Sequence, residues 1–269
     1  MTRSNKVFRK YLIRLSLSVV IILVFCVGVT LFIQFYPFEK SPLLSKMDYP
    51  LKTTTKSGIP GDPINILILG SEQTINRYFT EAGWKIPDPI TDKTSVKIAV
   101  DSLSNLPYPT APISNLYLYH RKQDLAFEKP TNTVQIRDHI RLWKTNTTIH
   151  GEEVWLGSAT YDHGIELSGR SHLPTHHISP SVDEERDKVI QDLKPFMKAT
   201  LVLSFDQPNL FGFNGGGDWY YTDGNIAVLS VQPLNKNDFS THSMALSLKQ
   251  IVLQILFPIL NGSISKKKN

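Results

Sequence analysis

Between Val134 and Trp143 apolar and cationic residues alternate, which predicts a strand with Val134, Ile136, Ile140 and Leu142 on one face and Arg137, His139 and Arg141 on the other. Cations two residues apart on one face repel, so solvent, acidic neighbours or a bound anion must offset them. Arg137 and Arg141 leave the strand about 13 Å apart, but their long side chains can turn toward one phosphate, and the histidine between them can donate or accept a proton. A solvated cationic face is the plainer reading of the same pattern. The returning strand, Val154 to Tyr161, has Gly157, Ser158 and Ala159 in its middle and is expected to leave room above the sheet.

Six of the 8 histidines, His139, His150, His163, His172, His176 and His177, fall within 39 residues, close to Asp162, Asp183 and Asp187. That density suggests a metal, but the spacing does not: Pro174 spoils a helical pairing of His172 with His176, and there are no cysteine ligands. No metal is assigned, and any cofactor stays unknown. In an extended chain His176 and His177 point to opposite sides, so at most one of them enters a shared site. An enzymatic reading takes His176 as general acid or base, with Asp183 or Asp162 orienting it on a phosphate ester. Glu184 suits the helix dipole, while Asp183 and Asp187, four apart, share a helical face. Asn214 to Asp218, with three glycines between, resembles a phosphate loop but lacks its lysine and following helix, so a tight connection is the plainer reading. Asn214 and Asp218 stay as candidate ligand contacts. No Gly-x-Ser-x-Gly motif is present.

The elements that must hold these residues are those of an α+β protein: one mixed β-sheet domain with packing helices, preceded by a single N-terminal transmembrane helix. Ile64 to Leu69 is a short β-branched run closed by Gly70, a buried strand. Ser71 caps a helix carrying Ile75, Tyr78, Phe79 and Ala82 that ends at Gly83, and Val96 to Leu103 forms a second. Leu116 to Arg121 reads as a strand and Lys144 to Gly151 as a hairpin loop. Ser181 with Glu184 reads as a capping box before Val189, Ile190, Leu193, Phe196 and Met197. Strands at Thr200 to Phe205 and Ile226 to Val231 flank the glycine-rich connection.

The pI near 9.1 invites a nucleic-acid reading, which the location of the charge removes. Arg3, Lys6, Arg9, Lys10 and Arg14 open the chain without an acid and Lys266 to Lys268 close it, which leaves −3 of the net +5 on the residues between. A nucleic-acid binder needs its basic footprint on the folded domain. Leu15 to Phe38 holds no charge, long enough at 1.5 Å per residue to cross about 30 Å of hydrocarbon. It is too long for a cleavable signal, and the only cysteine, Cys26, lies within it, so no intramolecular disulfide forms. The cations before the run place the N-terminus in the cytoplasm. The expected organisation is a basic tail (1–14), an anchor (15–38), a tether (39–61) and an extracytoplasmic domain (62–269), with the lipid bilayer as partner. Met244 to Leu260 is apolar but carries Lys249, which favours packing on the domain or lying at the membrane surface.

Nine strings in order, GDPINILILGS (Gly61–Ser71), AGW (Ala82–Trp84), PYPTAPIS (Pro107–Ser114), RKQDLAFEKP (Arg121–Pro130), RDHIRLW (Arg137–Trp143), WLGSATYDHGI (Trp155–Ile165), THHI (Thr175–Ile178), DEERD (Asp183–Asp187) and NGGGDWYYTDG (Asn214–Gly224), resemble the C-terminal domain of LssY-type proteins. The resemblance implies a setting and no reaction: bacterial lipid or cell-envelope metabolism, beside membrane-embedded modules similar to phosphatidic-acid-type phosphatases. This chain departs from that setting in having one anchor and no phosphatase module. It also has Ser179 and Ser181 where the family run is expected to carry acids. His163 and His177 fall at positions the resemblance implies are variable, which gives His139 and His176 more weight.

Overall fold

The computed structural model describes residues 13–25, 27–28, 50, 52–104, 106–133, 136–167, 174–203, 211–214 and 217–234. The chain divides into an N-terminal unit ending at Glu39 and a larger unit that begins at Lys40. In the first, residues 13–25 and 27–28 are helical and their large apolar side chains are exposed. No helix among the described residues is long and apolar enough to cross a membrane. The rest of the expected anchor, together with Val134, His172, Gly215, Gly216 and Met244 to Leu260, lies outside the described residues, as do the side chains of His163 and His176.

In the larger unit the apolar run becomes β3 (Ile66–Leu69), buried at all four positions because both faces of the sheet are covered there. It runs parallel to β13 (Asn225–Ser230) and antiparallel to β8 (Glu152–Leu167), which makes the sheet mixed. The full order is β10 (Lys198–Leu203), β13, β3, β8, β7 (Arg137–Ile149) and β6 (Leu125–Lys129), with β9 (Pro174–Ile178) paired to the far end of β8. Asn65 joins the pieces. Its side chain donates to the carbonyls of Ala159 and Val182 at 2.9 and 3.1 Å and accepts from Ala159 N at 2.9 Å, bridging β8 to the helix that follows β9.

One face of the sheet is apolar except where Asp138 of β7 meets the helix that follows β9. Ile66, Ile68, Ile140, Leu142, Ala159 and Leu229 pack against Ile75 and Phe79 of α1 (Glu72–Glu81) and Val189 and Leu193 of α3 (Val182–Leu193). Ser71 caps α1 by accepting from Thr74 N at 3.2 Å, and Gly83 ends it at φ +88°, a conformation that favours glycine. α2 (Asp92–Leu103) instead packs Ile98 on Tyr108 and Ala111 of the proline-rich 107–116 segment. The other face changes along its length. Leu67, Trp143, Leu156 and Val228 are covered by Leu116, at the end of the 107–116 segment, and by Leu118 from a second sheet, in the order β2 (Pro60–Pro63), β1 (Lys52–Thr54), β4 (Tyr117–Leu118) and β5 (Arg121–Lys122). Beyond that apolar end the same face is polar.

Several local expectations are corrected. Leu116 to Arg121 is two strands, split by Tyr119 and His120 at φ 51° and 60°. Lys144 to Gly151 is no loop: β7 runs on to Ile149 and turns at His150 and Gly151, because its threonines suit a strand. The capping box does not form, since the Ser181 side chain makes no cap hydrogen bond and Glu184 is exposed. Gly157 opens no space. It lies on the apolar face, where an added Cβ would stand 2.9 Å from Leu142 Cδ2 and 3.1 Å from Ile66 Cβ. The stretch read as tether contains β1, and the glycine-rich connection is flanked by a hairpin of β11 (Phe211–Phe213) and β12 (Trp219–Tyr221).

Candidate functional site

Strand alternation delivers the polar end of the sheet. Arg137, His139 and Arg141 project from β7 beside Asp162, Thr160 and Ser158, their register partners on β8, and all six are buried. Next in line, β6 sets Glu128 opposite His139. Arg137 donates from Nη1 to Glu128 Oε2 at 3.0 Å and to the carbonyls of Ala111 and Pro112, and Nη2 is 3.8 Å from Asp162. His139 Nε2 lies 2.7 Å from Thr160 Oγ1, and Nδ1 lies 3.5 Å from Asp162. Arg141 donates from Nε to the Ser114 carbonyl at 2.9 Å, and its Nη1 is 3.5 Å from Asp62. The 107–116 segment thus lids the cationic face with its carbonyls. The face is not solvated: Arg137 and Arg141 keep 3% and 4% of their surface.

Burial of so many ionisable groups perturbs them. Removal from water pushes the Glu128 carboxyl up to about 8 despite Arg137 beside it, so at neutral pH it is mostly uncharged. Asp62 is raised by burial, with Arg141 opposing the rise and Asp162 adding to it. Burial lowers the Arg141 guanidinium, against the pull of Asp62 and Asp162. Two guanidinium groups therefore face two carboxylates, Asp62 and Asp162, of which one is reluctant to ionise. Among the described residues Arg141 Nη1, Ser158 Oγ and Glu128 Oε1 have no hydrogen-bond partner.

From Asp62 the polar chain continues outward. Asn214 donates to Asp62 Oδ1 at 3.4 Å and to Asp218 Oδ2 at 3.2 Å, and it accepts from Asp218 N at 3.0 Å, closing the β11–β12 hairpin. Asp218 also accepts from Ile178 N at 3.3 Å and pairs with His177 Nδ1. Asn214 and Asp218 thus join the same network as Arg141. The backbone places His176 opposite Ile165 on β9, beyond the Asp162 and Ile178 pair. Asp183 belongs elsewhere. At the start of α3 it accepts from Thr222 Oγ1 at 2.8 Å and from Asp223 N, and it pairs with Arg186 Nη1 at 3.1 Å. Burial and neighbouring Asp223 raise Asp183 to about 6. Arg186, 2% exposed, also holds Asp223 at 2.8 Å and Asp187 at 2.9 Å, so it ties α3 to the start of β13. On the helix face of the sheet, Asp138 meets Glu185 and Lys188 of α3, and burial beside Asp138 lifts Glu185 to about 10.

A cleft of about 310 Å³ opens next to the lid, between Ile86–Ile90, Ile113, Asn115 and the Lys122–Ala126 segment. Ala126 is the register partner of Arg141, and Ile113 and Asn115 flank the carbonyl that Arg141 holds. Asp88, Lys122 and Asp124 give the cleft charges of both signs. Among the described residues no group of three or more metal-ligating side chains converges.

Glu128, Asp62, Ser158 and Thr160 were not singled out as site residues from the sequence. The period-2 patterns of Leu125–Lys129 and Ser158–Asp162 set Glu128, Ser158 and Thr160 on polar faces but do not show what those faces meet, and Asp62, within β2 and four residues before β3, carries no such signal. Fold and site together define an α+β domain whose mixed sheet carries a buried arginine, histidine and carboxylate ladder under a proline-rich lid. The chain belongs to the LssY C-terminus family, whose model matches residues 44–226 and so contains the whole ladder. No curated protein and no solved structure matches the chain.

Proposed function

We propose that the chain is a single-pass protein of the bacterial cell membrane, N-terminus cytoplasmic, whose extracytoplasmic domain binds an anionic, phosphate-bearing envelope component such as a lipid headgroup. The anchor rests on the uncharged Leu15 to Phe38 run and the five cations before it. A reporter active only outside the cytoplasm, fused after Asn269, is expected to work, with the protein retained at full length. Cytoplasmic reporter activity, or a released fragment starting near residue 40, contradicts the topology.

The observation that carries the ligand is at Arg141. Among the described residues its Nη1, which lies 3.5 Å from Asp62, and the Ser158 Oγ opposite are buried without a hydrogen bond, and such atoms cost stability unless something satisfies them. A phosphate oxygen accepts from both donors, displacing the Ser114 carbonyl as the lid opens from the adjoining cleft. Reluctant ionisation of Asp62 and Glu128 lowers the repulsion such an anion meets. Thermal melting of the full chain in detergent, with phosphate against chloride at matched ionic strength, tests the reading. Phosphate is expected to raise Tm. A Tm indifferent to phosphate rejects it.

A second reading is a hydrolase acting on a lipid phosphate or related ester, with His176 as base and Asp162 orienting it, since Asp183 is committed to Thr222, Asp223 and Arg186 at the start of α3. The observation at this edge speaks for the neighbouring His177 as the base in place of His176, because adjacent strand residues face opposite sides and it is His177 that pairs with Asp218, linked through Asn214 and Asp62 to Arg141. Phosphate release from a lipid phosphate by the full chain, lost on substitution of either histidine, separates catalysis from binding.

A further inference from the structure

The β11–β12 hairpin has two unlike faces. Gly212 and Tyr220, a register pair, turn inward, and Tyr220 is 1% exposed among Ile178 and Val182. Gly212 is required there, because a Cβ would run into the Tyr220 ring. On the other face the pairs Phe211 with Tyr221 and Phe213 with Trp219 put four aromatic residues side by side. Phe211 and Phe213 are 52% and 67% exposed, and the Trp219 and Tyr221 rings lie 5.8 Å apart. The hairpin is fixed to the domain, since Tyr221 N donates to the Pro180 carbonyl at 2.8 Å. Evolved surfaces seldom leave such a face to water.

The position of the hairpin says what covers it. β1 begins at Lys52, whose Nζ sits 5.2 Å from the Tyr220 ring centroid, so the first strand of the domain starts against the hairpin's inner face. Phe38, the last residue of the apolar run, is 14 residues upstream, a reach of at most about 50 Å. We propose that the aromatic face of this hairpin docks into the headgroup layer of the bilayer that holds the anchor. The proposal rests on the membrane anchoring argued above. Tryptophan and tyrosine suit that layer because each ring has an apolar body and a polar edge, and phenylalanine adds apolar area below it. Docking here sets the domain's orientation and brings the Asn214, Asp62 and Arg141 network, which starts at the hairpin's turn, close to lipid headgroups.

The test uses the full chain reconstituted in phosphatidylcholine vesicles, with or without bromine on the acyl chains near the headgroups. Trp84, Trp143 and Trp155 are 0% exposed, so quenching by bromine reads Trp219. Expected is a loss of up to about a quarter of the emission, Trp219 being one of 4 tryptophans, absent from Trp219→Phe and from the double variant Phe211→Ser, Phe213→Ser. Flotation of the same vesicles reports the anchor separately. A chain that does not float refutes the anchoring and the docking together. A chain that floats without quenching refutes the docking alone. Blue-shifted Trp219 emission that bromine leaves unquenched means that protein, either Met244 to Leu260 or a second copy, covers the face, and overturns the proposal.

Discussion

Arg141 and Ser158 face each other across β7 and β8, and neither Arg141 Nη1 nor Ser158 Oγ meets a hydrogen-bond partner among the described residues. A buried hydroxyl in that state adds nothing to folding, so Ser158→Ala is expected to change stability without phosphate by less than about 1 kcal/mol, or to raise it. The same substitution should shrink the Tm rise that phosphate gives. Melting of parent and variant with and without phosphate checks both halves, and a variant that keeps the full phosphate shift contradicts the role given to Ser158.

Arg137 and Glu128 are unequal partners. Glu128 is mostly neutral at pH 7, so Glu128→Gln keeps an acceptor for Arg137 and should cost less than about 1 kcal/mol. Arg137→Met strands Asp162 and the Ala111 and Pro112 carbonyls in a buried site and should cost about 3 to 5 kcal/mol. Denaturant unfolding of the two variants at pH 7 distinguishes this from a symmetric ion pair, in which both substitutions are costly.

The ladder on β7 was legible because side chains on a strand alternate with period 2, and Arg137, His139 and Arg141 had to share a face opposite Ile140 and Leu142. What offsets those cations was not legible. Glu128 and Asp62 arrive from β6 and β2, and spacing along one strand carries no information on neighbours across a sheet. Lys144 to Gly151 looked like a loop because it is polar, yet threonine is β-branched and the two strands run on past the sheet as a ribbon. Ser181 and Glu184 have capping-box spacing, but Asp183 is held by Thr222 and Asp223, tertiary contacts that outweigh a local cap.

Arg186 is the pivot of α3, shared among Asp183, Asp223 and the Asn225 carbonyl. Arg186→Met leaves those groups half-buried without their cation and is expected to cost about 3 to 5 kcal/mol. Asp187 also touches Arg186, but its side chain is 57% exposed, and Asp187→Ala should fall within about 0.5 kcal/mol of the parent. Thermal melts of the two variants should therefore separate widely, and equal losses would show that Asp187 shares the buried charge after all.

Glu128 and Glu185 make stability depend on pH in a direction opposite to that of an ordinary salt-bridged acid. Burial raises both from 4.5, Glu128 to about 8 and Glu185 to about 10, with Asp138 adding to the rise of Glu185. Between those values the folded chain holds protons that the unfolded chain has released, so stability falls as pH rises. Both groups contribute up to about pH 8, after which only Glu185 does, and each contributes at most about 1.4 kcal/mol per pH unit. The double variant Glu128→Gln, Glu185→Gln loses this slope, since neither amide titrates. Its advantage over the parent should grow steadily from pH 6.5 to 8 and more slowly from 8 to 9.5. Comparing the two proteins removes the other titrating groups, Asp183 at about 6 among them, because both chains keep them. Chemical denaturation at half-unit intervals across that range gives the two curves, and parallel curves would mean that both carboxyls are ionised in the folded chain at neutral pH.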